Sequence, residues 1–242
     1  MEKLRPIRTI HFQIQSKGGV GKSYLTYLLA NKHRVETDAF FIDADAENKT
    51  SSSQNLTFLN GTSRLAFLSI LDKENKIKRD LFTKMLERFG MDEFPYQKVF
   101  VDLGATESTQ LLRLFSDDFD ASILKIMEEK YRLRYVFNVV IAGNTAYTAC
   151  VNFLEKVQQL FQENHTINIY ANAEEFRDNY NQMENLKELA ELHKLPLKVF
   201  GRTEKNSTVG NEITQMIQEG KSLDDYSDMF AYYQIDQETQ LI

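Results

Sequence analysis

Nine residues constrain this chain more than any others: Gln15-Ser16-Lys17-Gly18-Gly19-Val20-Gly21-Lys22-Ser23. They follow a short run of alternating apolar residues, Thr9 to Gln15, and precede a helical pattern, Tyr24 to His33. A strand, a glycine-rich turn and a helix start form the context of a phosphate-binding loop. Three glycines let the backbone wrap closely enough for successive N–H groups to point at one anion. The helix that follows adds the positive end of its dipole at the same spot. Lys22 then supplies a point charge for terminal phosphates, and the Ser23 hydroxyl a ligand for magnesium. A plain glycine-rich turn needs neither residue in those places.

Beyond the loop, strand and helix patterns alternate. Val35 to Ile42 holds a second apolar run, Ala39-Phe40-Phe41-Ile42, which exits into Asp43-Ala44-Asp45-Ala46-Glu47-Asn48. A continuous apolar strand with carboxylates at its exit suits a buried parallel strand that opens onto a ligand face. Lys49 to Asn60 reads as loop, or as loop leading into a weak helix. Arg64 to Leu71 and Arg79 to Phe89 carry helical apolar spacing, with Gly90 as a stop for the second. Val99 to Gly104 is a third strand, and Thr106 to Phe115 a helix with Thr106 as candidate cap. Phe119 to Lys130 fits no single state. A fourth strand, Tyr135 to Ala142, leads to a helix at Thr145 to Phe161, then to a fifth strand, Thr166 to Ala171, ending at Asn172. A helix at Asn179 to His193 precedes a sixth strand, Leu197 to Phe200. Helices at Thr208 to Gly220 and Leu223 to about Gln234 complete the pattern. This order predicts a doubly wound α/β fold, a mostly parallel sheet covered by helices on both faces. No linker rich in Pro, Gly or Ser interrupts it, so residues 1–242 are expected to form one domain.

Composition narrows the partners. Hydrophobic residues at 42% and charged residues at 26% are those of an ordinary globular protein. The net charge of −6 gives no general attraction to nucleic acid. A DNA contact would need a local patch, for which Lys194, Lys198, Arg202, Lys205 and Lys221 are candidates, although a solvated face is the commoner meaning of such residues. Cys150, the sole cysteine, cannot make an intrachain disulfide and sits in an apolar helical pattern, which suits core packing. The four histidines lack metal-ligand spacing. No apolar run is long enough to cross a bilayer, and the stretch Leu223 to Phe230 is acidic, so anionic lipid should repel it. A cytoplasmic location and no membrane attachment are expected.

The carboxylates at strand exits complete the reading. Asp102 ends the third strand, where a phosphate-loop protein needs a carboxylate to hold magnesium through water; an N-cap or turn residue is the structural alternative. Asp43 and Asp45 stand at the exit of the second strand, where a carboxylate can fix the direction of an attacking water. Solvated loop acids are the plain alternative.

The run Lys-Gly-Gly-Val-Gly-Lys-Ser at residues 17–23, with Ser16 where the general motif has Gly, resembles the deviant Walker A loop of the ParA/MinD ATPases. That family includes plasmid and chromosome partition proteins and division-site regulators. The resemblance implies a P-loop NTPase fold, ATP rather than GTP, and magnesium held with Ser23, Asp43 and Asp102. It implies that Lys17, Gly18, Gly19, Val20, Gly21, Lys22, Ser23 and Tyr24 surround the nucleotide. It also implies that Lys17 reaches across an ATP-bound homodimer to the partner's nucleotide, and that Lys17, Lys22 and Asp45 serve hydrolysis. Leu103-Gly104-Ala105 resembles the family's second switch without its frequent prolines, and Ala46 stands where a proline often follows the second aspartate. Asn172 corresponds to an asparagine that reads adenine in several relatives; it is equally a turn former.

The function expected from the resemblance is an ATP-dependent dimerisation switch in plasmid partition, plasmid stability or cargo positioning. Its ATP hydrolysis would be slow and stimulated by a partner protein, and nonspecific DNA is a candidate contact. Two other classes remain open. A small-molecule ligase or kinase of the dethiobiotin synthetase type would need a further polar pocket, and a weakly hydrolysing nucleotide-bound adaptor would not need Asp45.

Overall fold

The computed structural model describes residues 6–44, 55–120 and 122–242. In chain order, β1 (Arg8–Ile14) leads through the glycine-rich loop into α1 (Lys22–Lys32), followed by β2 (Ala39–Asp43) and β3 (Leu65–Phe67). Then come α2 (Arg79–Phe89), β4 (Lys98–Asp102), α3 (Ala105–Arg113), α4 (Ser122–Tyr131), β5 (Leu133–Ile141) and α5 (Tyr147–Phe161). The chain continues through β6 (Thr166–Asn172), a single helical turn α6 (Ala173–Phe176), α7 (Tyr180–Leu192), β7 (Leu197–Phe200), α8 (Thr208–Gln218) and α9 (Met229–Leu241). The seven strands form one sheet in the order β3-β2-β4-β1-β5-β6-β7, and every pairing is parallel. This is the doubly wound α/β fold expected from the alternation. Helices cover both faces because parallel neighbours can be joined only by crossovers.

Aromatic packing fixes the two layers. On one face Phe12 meets Phe82 of α2, and Phe137 stacks on Phe161 of α5 with ring centroids 4.2 Å apart. On the other, His11, Phe100 and Phe41 stack in a row across three strands, and His33, just past α1, closes over Phe100. Each fully buried ring of this kind contributes about 1.5–3 kcal/mol relative to exposure. Cys150 is fully buried in the α5 layer, as expected for a packing residue.

The structure corrects three element assignments. Residues 64–71 contain a short strand, not a helix. Ile42 pairs with Ala66, and the Arg64 guanidinium donates to the carbonyls of Ala39, Arg34 and His33, which pins the segment at the sheet edge. A short apolar run is ambiguous by spacing alone, and here sheet pairing decides. Thr106 is not the cap of α3, because Gly104 takes the cap position and the helix starts at Ala105. The last predicted helix is displaced: Leu223–Asp225 is a 3-10 turn closed by a Ser222–Asp225 capping box. The helix proper begins at Met229, where the Asp228 carboxylate accepts from the Ala231 N–H at 2.8 Å. The undecided stretch around 119–130 is helical from Ser122 to Tyr131.

Candidate functional site

Chain order reverses beside β1. From β1 the chain crosses to β2 on one side, and from β4 it crosses past β1 to β5 on the other. A crevice opens at the carboxyl ends of strands where this happens, and ligands of open α/β sheets bind there. The glycine-rich loop lies at that point.

The loop is held from both sides. Gln15, fully buried, donates from Nε2 to the Val140 carbonyl at 2.9 Å and accepts the Ser16 N–H on Oε1 at 2.8 Å. Its own N–H donates to Ser108 Oγ at 3.2 Å, and that hydroxyl donates to the Gly104 carbonyl at 2.8 Å. One hydroxyl therefore ties the loop entrance to the turn after β4. At the exit, Gly21 caps α1 at φ +103°, and a methyl group there would lie 2.7 Å from Asn172 Nδ2. Asn172 Nδ2 donates to the Val20 carbonyl at 3.1 Å. The asparagine at the end of β6 thus buttresses the loop from behind. Lys17, Gly18 and Gly19 are exposed, Ser23 is half-buried, and Lys22 is buried. Burial pushes the Cys150 thiol up, while the charges of Lys22 and Lys17 oppose that shift, so both lysines act on the same end of the sheet.

The two acidic strand exits are adjacent. Asp43 and Asp102 are register partners across β2 and β4, and both are buried. The row continues: Asp102 pairs with Gln13, Gln13 with Asn138, and Asn138 with Asn168. Five neighbouring strands therefore carry a polar residue at one level, on one face of the sheet. Asn168 Nδ2 donates to Asn138 Oδ1 at 2.9 Å, whereas both amide atoms of Gln13 are buried without a hydrogen-bond partner among the described residues. Gln13, Asn138 and Asn168 escape a reading of the sequence because the signal is register, one polar position per strand, and not a local motif. Asp45, Glu47 and Asn48 lie outside the described residues.

Two carboxylates side by side and the Ser23 hydroxyl are hard oxygen donors. Such a set suits magnesium, which keeps waters and phosphate oxygens in its shell. Among the described residues, no group of three or more His, Cys, Asp or Glu forms a metal cage by itself.

A cavity of about 210 Å³ opens beside the loop, lined among others by Gly21, Tyr24, Asn172, Gly201 and Thr203. Gly201, at φ +69°, starts its rear wall; a methyl there would fall 2.3 Å from Asn172 Oδ1. That wall is held by a buried carboxylate from the far end of the chain. Glu238 of α9 accepts the N–H of Gly201 at 2.6 Å, the N–H of Arg202 at 2.9 Å and the Thr203 hydroxyl at 3.1 Å. Burial and the neighbouring Glu238 carboxylate push the Tyr24 phenol well above its usual value. Of the candidate DNA-binding cations, Lys205 pairs with Glu175 at 2.8 Å and Lys198 lies over the Tyr170 ring.

Topology, glycine-rich loop and paired strand-exit carboxylates together define a P-loop NTPase type of α/β fold. More narrowly, the fold is that of the ParA/MinD proteins. MinD in the MinC:MinD cell division protein complex of Aquifex aeolicus superposes with a TM-score of 0.54 at 14% identity, over 96% of this chain and 94% of that one. A putative plasmid partition protein of Borrelia burgdorferi B31, solved bound to AMPPNP, gives 0.51 at 13% identity over 96% and 98%. A Cyanothece McdA–ATP complex gives 0.50 at 14% identity over 98% and 97%. No protein-family model and no curated protein sequence matches the chain.

Proposed function

We propose that this protein is an ATPase of the ParA/MinD type, an ATP-dependent dimerisation switch for partition or cargo positioning. One observation carries the reading: the loop at 15–23, the register pair Asp43–Asp102 and the cavity walled by Asn172 and Gly201 meet at one crevice. In this reading the loop N–H groups and Lys22 hold the phosphates, and Ser23, Asp43 and Asp102 hold magnesium. Tyr24 and Asn172 bound the space for the base. Asn172 Nδ2 is engaged by Val20, so its part is to shape that wall as well as to touch the nucleotide. Exposed Lys17 is free of any ion pair among the described residues and is available to a second subunit's phosphates, where its charge would offset theirs. Hydrolysis would remove those phosphate contacts and release the dimer. Three neighbours of the same fold, solved as a MinC:MinD complex, bound to AMPPNP, and bound to ATP, support nucleotide use and protein partnership. No helix among the described residues is long and apolar enough to cross a membrane.

The test separates binding from switching. Calorimetry with ATP and magnesium should show binding that Lys22→Ala weakens by at least about tenfold, the loss of about 1.4 kcal/mol or more from one charged contact. Lys17→Ala should keep monomer binding but lose the ATP-dependent rise in mass measured by light scattering. Normal dimerisation of that variant would refute the cross-subunit role. Asp45→Ala should bind ATP and release no phosphate; unchanged release would favour an adaptor that hydrolyses little.

A further inference from the structure

Among the described residues, two of the exposed apolar surfaces lie on opposite faces of the sheet. The first is a groove of about 810 Å³ on the α2 face beside the edge strand β3, lined by Ile42, Ala66, Met85, Met91 and Phe94 among others. Its rim is net basic. Among the described residues, Lys84 and Arg88, one turn apart on α2, are exposed and have no ion-pair partner, and Glu93 is the one acid lining the groove. Phe67 and Met91 are 56% and 52% exposed there. The second surface is convex. α9 packs on β7, α1 and α8, and its first turns leave Met229 at 80%, Phe230 at 74% and Tyr233 at 62% exposed. Tyr233 lies four residues past Met229 and three past Phe230, the spacings at which helix side chains are neighbours. The approach to the helix is acidic: Asp225 and Asp228 are exposed with no ion-pair partner among the described residues, and Asp224 pairs with Arg34.

We propose that the groove of one copy receives the first turns of α9 from a second copy of this chain. Shape and charge agree. A helix corner bearing three large apolar side chains meets a groove of the size that buries such anchors, and Asp225 and Asp228 approach Lys84 and Arg88. Like charges at one such contact would oppose it. Donor and acceptor are different surfaces on opposite faces of the sheet, so the contact is heterologous. It leaves a free groove at one end and a free helix at the other, and copies add in a row instead of closing on a two-fold axis. Three anchors fall short of the roughly 1,200–2,000 Å² typical of a stable interface, so assembly is weak and grows with concentration. Neither surface contains the glycine-rich loop, and the assembly needs no nucleotide.

Sedimentation velocity of the full chain without nucleotide, over a rising concentration series, tests the proposal. The weight-average mass should climb past the dimer without a plateau. Phe230→Asp removes the donor and Met91→Asp blocks the acceptor. Both positions are exposed, so unchanged circular dichroism and melting should accompany a monomeric mass for each variant alone. Mixed together, the two variants should form a one-to-one dimer, because one keeps its groove and the other its helix. A wild-type chain that stays monomeric at every concentration, a plateau at dimer, a Phe230→Asp protein that assembles as the wild type does, or a mixture that stays monomeric would each overturn the proposal.

Discussion

At the scale of single residues, the site depends on two glycines and the asparagine wedged between them. Gly201 holds φ +69° with Asn172 Oδ1 where its Cβ would stand. An alanine there must bear the left-handed conformation, about 1–2 kcal/mol, and also displace Asn172. Gly201→Ala is therefore expected to lower stability by about 2 kcal/mol or more in urea denaturation and to weaken nucleotide binding with it. The same substitution at Gly18, where no atom stands within 4 Å of the added methyl and φ is not in the left-handed region, should be nearly neutral for stability. The places of Lys22, Asp43, Asp102 and Asn172 in the fold were legible in the sequence because each sits at a strand exit or inside a motif with fixed spacing. Gln15, Ser108 and the amide row of Gln13, Asn138 and Asn168 were not. Their roles depend on which strands become neighbours, and partners 93 to 125 residues apart leave no local trace.

At the scale of elements, α9 is a wall support as well as a surface helix. Glu238 uses both carboxylate oxygens, Oε2 on Gly201 and Oε1 on Arg202 and Thr203. Glu238→Gln turns one acceptor into a donor facing an N–H group, at a cost of about 1.5–3 kcal/mol for a charge-assisted bond. The expected outcome in calorimetry is a larger loss of affinity for ATP than for inorganic tripolyphosphate, since Glu238 holds the Gly201–Thr203 side of the cavity proposed for the base and makes no hydrogen bond to the glycine-rich loop among those described. Equal losses for both ligands would show a general loosening. Sequence patterning placed six of the seven strands and most helices, because long periodic segments announce themselves. It misread 64–71, where three residues of edge strand are too few to establish a period of two, and where the Arg64 hydrogen bonds that anchor the segment reach residues at least 25 positions away. Glu238 looked like one more acid on a helix because its three donors lie at least 35 residues earlier.

For the whole molecule, acidity acts through the face under α1. Burial, together with the charges of His33, Lys198 and Lys98, holds His11 down to about 4 while its ring stacks on Phe100 at 4.8 Å. His33 is lowered too, by burial that outweighs the raising effect of Glu36. Burial also opposes ionisation of Glu36, but hydrogen bonds from Lys98 and His33 overcome it and hold that carboxyl at about 2. A histidine whose folded value lies below its unfolded one costs stability as pH falls, because the unfolded chain takes up the proton below about pH 6.5 and the folded one only below about 4. The loss builds up between those two values and levels off below the lower one, and for His11 it is of the order of 3 kcal/mol. The melting temperature should therefore drop between about pH 6.5 and 4, and His11→Phe, which keeps a ring on Phe100, should flatten that slope. An unchanged slope in a thermal shift series would place the acid sensitivity elsewhere. The same sheet that buries this cluster also fastens the glycine-rich turn at its mouth through Gln15 and Ser108. On the function proposed above, these protein hydrogen bonds would hold the turn in place for an anion. Little binding energy would then go into ordering the backbone, leaving more for the conformational change the nucleotide is proposed to drive.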